Sequence, residues 1–203
     1  MRANDGALMA VSAALTQRAA MEKARCRLGI DTGRFVVLQL GRMAPHKGID
    51  TVIRGLAMLR ERHGVDAELI VASSDLRDPS RRGGPELARL RAVAADLGVT
   101  PHVRFSGQPA RAALGDYYGA ADAIASMPWR TRLGITTTEA MACGRPVVGS
   151  DAYAVRDGVT GYLIPSRDAE ALAERLARLH RHPALALAMG KAGRAILAPG
   201  AMR

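Results

Sequence analysis

The chain has 203 residues, a net charge of +10 and a pI near 10.7. Its hydrophobic fraction of 48% is ordinary for a globular protein, and its length suits one domain that buries roughly 70% of its unfolded surface. No apolar run approaches the roughly 20 residues that span a bilayer, and Ala7–Leu15, flanked by Asp5 and by Gln17-Arg18, makes a poor signal peptide.

Aromatic residues make up 3% of the chain, so an aliphatic, alanine-rich core is expected. Lys23, Lys47 and Lys191 are the only lysines, and arginine carries most of the positive charge. Such a balance favours phosphate-bearing partners in general. Nucleic acid is not expected: the arginines are scattered, Arg81-Arg82 is the only adjacent pair, and stacking aromatics are few. Genome composition is the preferred explanation of the arginine content. Cys26 and Cys143 lack metal-ligand spacing and suit reduced thiols in a reducing compartment. The histidines form no metal motif.

Residues 1–18 carry no decisive pattern; Met9, Val11 and Leu15 fit one side of a short helix or a loose segment. Residues 19–30 read as a helix ending near Gly29, and Asp31-Thr32-Gly33 as a turn. Phe35–Leu40 reads as a buried central strand, followed by the loop Gly41–Gly48. Ile49, Val52, Ile53, Leu56 and Leu59 then recur at helical spacing, with Asp50 in the first turn and His63-Gly64 as the stop. Ala67–Ala72 is a second strand. A long basic loop, Ser73–Pro85, leads to a helix marked by Leu87, Leu90 and Val93. Val103–Phe105 is a third strand, and Pro109 opens a helix through Leu114, Tyr117 and Tyr118. Ala123–Ser126 and Val147-Val148 are further strands, and Gly161–Ile164 is a short sixth. Asp168 caps a helix carrying Leu172, Leu176 and Leu179, and Pro183 starts a last one through Leu187 and Met189.

This alternation predicts an α/β, Rossmann-like parallel sheet with helices on both faces, whose ligands bind beyond the carboxyl ends of the strands. Gly41–Gly48 and Pro128–Thr136 are such ends, so Arg42, Lys47 and the helix bearing Glu139 are expected to share one crevice. Thr136 and Glu139 have the spacing of a capping box, with Gly144 as the helix stop and Pro146 beyond it. A helix start suits phosphate, and a carboxylate there can bind sugar hydroxyls. On these residues alone the plain reading, a capping box and a turn at Gly134, is preferred. No dinucleotide GxGxxG or Walker A pattern is present.

From Phe35 to about Arg194 the sequence resembles the C-terminal nucleotide-binding domain of family 4 glycosyltransferases of the GT-B fold. The resemblance rests on Gly41-Arg42 with Lys47-Gly48, Val103-Arg104-Phe105 with Gly107, Pro128-Trp129, Gly134-Ile135-Thr136 with Glu139–Gly144, Pro146–Ser150, and Asp157-Gly158 with Thr160-Gly161. Each is weak, but their order and spacing are specific. The resemblance implies that Arg42 and Lys47 bind the donor diphosphate. Gly134, Ile135 and Thr136 would offer backbone to the donor sugar and phosphate, Glu139 would hold the ribose, and the region of Phe105 and Gly107 would line the base. It also implies retaining transfer from a nucleoside-diphosphate sugar without a metal or other cofactor, in a cytoplasmic protein, with contact at the inner membrane face left open. Residues 1–33 would be an N-terminal extension and linker helix, 34–197 the donor domain and 198–203 a tail.

The pattern also departs from the family. Where the family has a second glutamate eight positions before Glu139, this chain has Thr131, between Arg130 and Arg132, and Leu133 replaces a phenylalanine. A glycine-pair loop is shortened to Asp151–Arg156, and the last helix is expected to stop early. The acceptor-binding half is not among these residues. The chain is therefore expected to bind a nucleotide sugar but to transfer little alone, and to associate with itself or with a separately encoded acceptor half. No residue is singled out as catalytic. The alternative is a non-enzymatic, degenerate or truncated paralogue that binds nucleotides or partners.

Overall fold

In the computed structural model, residues 2–76, 84–107, 113–129, 134–150 and 155–197 are described, with side chains from residue 15 onward. The strands are β1 (Phe35–Leu40), β2 (Ala67–Ser73), β3 (Val103–Gly107), β4 (Ala123–Ser126), β5 (Val147–Gly149) and β6 (Gly161–Leu163). They form one six-stranded sheet in the order β3-β2-β1-β4-β5-β6, and every pairing is parallel. This is the doubly wound order, whose direction reverses between β1 and β4. The helices are α1 (Arg2–Leu28), α2 (Ile49–His63), α3 (Pro85–Asp96), α4 (Leu114–Ala120), α5 (Ile135–Ala142), α6 (Ala169–Arg181) and α7 (Pro183–Ile196).

Strand alternation sorts the core into two layers. Phe35, Val37, Leu69, Val71 and Ala125 face α2, α3 and α6; Val36, Leu38, Ile70 and Ile124 face α1, α4 and α5. The apolar stripe of α2 is wholly buried and packs on Leu172, Leu176 and Leu179 of α6. Each such side chain contributes roughly 1.5–3 kcal/mol by leaving water. The helices stop where the sequence indicates: Gly64 and Gly144 are both left-handed, at φ 65° and 67°. Asp168 caps α6, its Oδ1 accepting from Ala171 N at 2.9 Å.

The sequence reading differs from the structure at α1. Helix α1 runs unbroken from Arg2 to Leu28, where the sequence reading gives a helix over 19–30 and leaves residues 1–18 as a short helix or a loose segment. Its end is held by a buried cation. Arg25 is 3% exposed and donates from Nε to Ala120 O (2.9 Å), from Nη1 to Thr32 O and Arg34 O (3.0 Å each), and from Nη2 to Asp122 Oδ2 (2.6 Å). Helix α4 starts at Leu114; Pro109, its expected opening residue, lies outside the described residues, as does the 198–203 tail. Among the described residues, no helix is long and apolar enough to cross a membrane.

The functional end of the sheet is set by a loss of pairing. β1 pairs with β2 from Phe35 to Leu40, but with β4 only at Val37↔Ala123 and Leu38↔Ile124. Beyond Leu38 the two central strands make no further pairs, which is the point where a doubly wound sheet is expected to offer its ligand crevice. Gly48 lies in the first loop at φ 65°, and a Cβ there would sit 2.0 Å from Met127 O in the second. Gly48→Ala must therefore push the two loops apart and is expected to cost about 2 kcal/mol or more. Gly64→Ala, at the same φ but with open space around it, should cost about 1 kcal/mol. Urea unfolding of the two variants measures the difference.

Candidate functional site

The loop from Gly41 to Gly48 is anchored on both sides. Asp75, at the exit of β2, accepts from Met43 N through Oδ2 at 2.8 Å. On the other side Trp129 N donates to His46 O at 2.9 Å. Arg42 is 72% exposed, with Nε 3.9 Å from Asp75 Oδ1, a long and water-screened pairing. Lys47 closes the short 3-10 turn Pro45–Lys47 and is half-buried. Both expected diphosphate ligands thus stand on the loop after β1, at the crevice.

Across the crevice, α5 begins at Ile135. Its first intrahelical bond is Thr138 N to Gly134 O at 2.8 Å, so the amides of Ile135, Thr136 and Thr137 precede the hydrogen-bonded ladder. They carry the positive end of the helix dipole and suit an anion. The expected capping box does not form. Gly134 is the N-cap and no side chain caps the helix, so Thr136 lies inside the first turn. Its Oγ1 donates to Leu40 O at 3.4 Å, tying α5 to the end of β1. Thr138 Oγ1 donates to Gly134 O at 3.0 Å. Glu139 therefore falls past the first turn, where its carboxylate cannot reach back to the N-cap amide. It is half-buried, and its Oε2 accepts from the Tyr118 hydroxyl at 2.8 Å. Thr136 and Glu139 keep capping-box spacing without capping geometry, because the chain enters the helix two residues before Thr136. Ile135 is 65% exposed at the mouth.

The exit of β3 divides by strand alternation. Phe105 packs with the α2/α3 layer and, with Arg91, Ala94, Ala95, Thr100 and Val103, lines an open depression of about 390 Å³ at the sheet edge. Its side chain lies on the opposite face of the sheet from α4 and α5. Ser106 faces α4 instead, with its Oγ 2.9 Å from the Tyr117 hydroxyl. Gly107 ends the strand, paired in register with Ser73. Tyr117 and Tyr118, consecutive on α4, thus reach Ser106 and Glu139. The sequence reading used both tyrosines only as helix markers. The available signal was two polar-tipped aromatics in a chain nearly free of them.

Two buried polar atoms near the crevice have no partner: Gln39 Oε1, next to last on β1, and Thr137 Oγ1 on α5. Such atoms are uncommon in native interiors and mark polar sites. A glutamine inside an otherwise apolar central strand was the legible signal for the first. At the rim, the Arg167 guanidinium stacks 3.9 Å from the centroid of the Trp129 ring. Arg167 is the non-glycine residue at positive φ (66°) among those described. Arg130, Thr131, Arg132 and Leu133 lie outside the described residues, as do residues 151–154 of the shortened loop. Among the described residues no group of three or more His, Cys, Asp or Glu side chains could hold a metal ion.

The strand order, with the start of α5 tied to the end of β1 at the switch point, defines a doubly wound, Rossmann-like α/β domain. Residues 20–196 match the family described as glycosyl transferases group 1, and the chain is a member of that family. It is 41% identical over 174 residues to a GDP-mannose-dependent alpha-(1-6)-phosphatidylinositol monomannoside mannosyltransferase of Mycolicibacterium smegmatis, covering 79% of this chain and 42% of that protein. It is 37% identical over 187 residues to a D-inositol 3-phosphate glycosyltransferase of Salinispora arenicola, covering 89% and 39%. Among solved structures, a sucrose-phosphate synthase from Thermosynechococcus elongatus superposes with a TM-score of 0.77 at 31% identity, over 86% of this chain and 43% of that one. The chain thus spans about two fifths of the length of these curated relatives.

Trp129 is the only tryptophan of the sequence, and its backbone is bonded to the residue before Lys47. A ligand that engages Lys47 should therefore change the indole fluorescence. Saturating GDP or UDP is expected to alter the emission of the wild-type protein, and Lys47→Ala should require at least tenfold more nucleotide for the same change. Fluorescence titration provides the measurement.

Proposed function

We propose that this chain is the donor-binding half of a retaining glycosyltransferase and takes a nucleoside-diphosphate sugar in the crevice between β1 and β4. One observation carries the reading: α5, which bears the unladdered amides and Glu139, is tied through Thr136 Oγ1 to Leu40 O at the end of β1, where the loop bearing Arg42 and Lys47 begins. Charge and hydroxyl complementarity divide the ligand between them. The amides of Ile135, Thr136 and Thr137, with Arg42 and Lys47, bind the diphosphate, and Glu139 accepts from the ribose hydroxyls. As the glycosidic bond to the diphosphate breaks, negative charge grows on the leaving phosphate. Fixed cations and oriented N–H groups stabilise that charge without having to reorganise, which is the role a metal ion fills in other sites.

GDP-mannose is the first donor to test, because a relative of 41% identity is named for its dependence on it. That relative acts on a phosphatidylinositol monomannoside, and a lipid acceptor of this kind would bring the protein to the cytoplasmic membrane face. Transfer also requires an acceptor held in line with the donor. We assign that task to an acceptor-binding half, so the 203-residue chain binds donor but turns over little by itself.

Calorimetric titration with GDP-mannose, GDP, UDP-glucose and UDP tests the reading. Binding of one nucleotide family is expected, weakened at least tenfold by Glu139→Ala and by Arg42→Ala. A cooperatively folded chain that binds none of the four would overturn it in favour of a non-enzymatic module. Rapid sugar transfer by the chain alone would refute the need for a second half.

A further inference from the structure

A half-buried carboxylate binds a diol well only if it is held in place before the ligand arrives, because freezing a flexible glutamate on binding costs affinity. Among the described residues, Glu139 makes no ion pair, and its one side-chain hydrogen bond comes from the Tyr118 hydroxyl at 2.8 Å. That bond takes Oε2 and leaves the acceptor capacity of Oε1 unspent. Tyr118 itself has little freedom. It is 2% exposed, and its ring is packed among Leu38, Ile124 and Met141 beneath the sheet's α4/α5 layer.

We propose that Tyr118 is a positioning residue of the donor site, whose hydroxyl fixes the Glu139 carboxylate so that Oε1 is presented to the ribose hydroxyls. This rests on the donor-site reading above and adds a residue to it. Burial, and then the adjacent Glu139 carboxylate, push the Tyr118 hydroxyl well above the usual phenol range. It therefore stays protonated and donates wherever the protein is folded. Tyr117 does not share this role: its hydroxyl is paired with Ser106, 2.9 Å away. The two consecutive tyrosines thus divide α4, one serving the carboxylate and the other the exit of β3.

The test compares GDP and UDP with their 2′,3′-dideoxy forms, by calorimetry, on wild type, Tyr118→Phe and Tyr117→Phe. Wild type and Tyr117→Phe should bind the ribonucleotide about tenfold or more tighter than the dideoxy form. In Tyr118→Phe that ratio should fall to near one, because the ribonucleotide loses affinity and the dideoxy form does not. A Tyr118→Phe protein that weakens both ligands equally, or keeps the ratio, overturns the positioning role while the donor site stands. A wild type that binds but shows no preference for ribose hydroxyls removes the ribose role of Glu139, and the positioning role with it. Should Tyr118→Phe fail to fold, the Tyr118 hydroxyl proton of the wild type gives a second readout by NMR. It should shift on addition of GDP or UDP and stay in place with the dideoxy forms. A resonance indifferent to both also overturns the proposal.

Discussion

The approach of Gly48 to Met127 fixes how the exit loops of the two central strands sit against each other. The Met127 carbonyl occupies the volume in which a side chain at residue 48 would begin, so the exit loop of β1 lies directly on the exit loop of β4. The bond from Trp129 N to His46 O continues that contact one step further along both loops. Together they fix the exit loops of the two central strands against each other at the switch point. The basic loop with Arg42 and Lys47 begins there, and Thr136 ties the start of α5 to the same strand end. A left-handed glycine is the residue that permits both the backbone turn and the close approach.

At the opposite end of the strands, arginines hold the carboxyl ends of α4 and α5. Arg25 Nε and Arg145 Nη2 donate to the Ala120 and Gly119 carbonyls at the end of α4, and Arg194 Nε donates to Ala142 O at the end of α5. Cations at helix carboxyl ends complement the dipole and satisfy carbonyls that have no intrahelical partner. The planar guanidinium reaches several acceptors at once, as Arg25 does with three carbonyls and Asp122. Part of the arginine content that composition assigns to phosphate ligands or to genome bias is thus structural. Anchored at these ends, α4 and α5 keep Tyr118 and Glu139 in fixed relation.

Two kinds of residue therefore belong to the proposed site. Arg42, Lys47, Ile135 and Glu139 have exposed or half-buried side chains. Tyr118, Thr137 and Gln39 are buried near it and are polar where the surrounding layers are apolar. Polar groups inside an apolar layer are costly unless another group employs them. Tyr118 meets that condition through Glu139, whereas Gln39 Oε1 and Thr137 Oγ1 remain without partners.

The sequence by itself determined the alternation of strands and helices, most helix ends and the family, since these depend on local signals: periodicity, glycine and proline stops, and short motifs in a fixed order. It also placed Arg42, Lys47 and Glu139 on the elements where they are found. The departures from that reading share a cause. The end of α1 is held by Arg25 meeting the Ala120 carbonyl 95 residues away and the Asp122 carboxylate 97 away, which no local pattern encodes. The capping box at Thr136 failed because spacing specifies which side chains could meet, while the chain's angle of entry at Gly134 decides whether they do. Phe105 and Ser106 were separated by the sheet, since which of two neighbours faces α4 depends on the strand's orientation in the assembled layers. The partnership of Tyr118 and Glu139 joins two helices on either side of β4, and only the packed fold brings them within hydrogen-bonding distance.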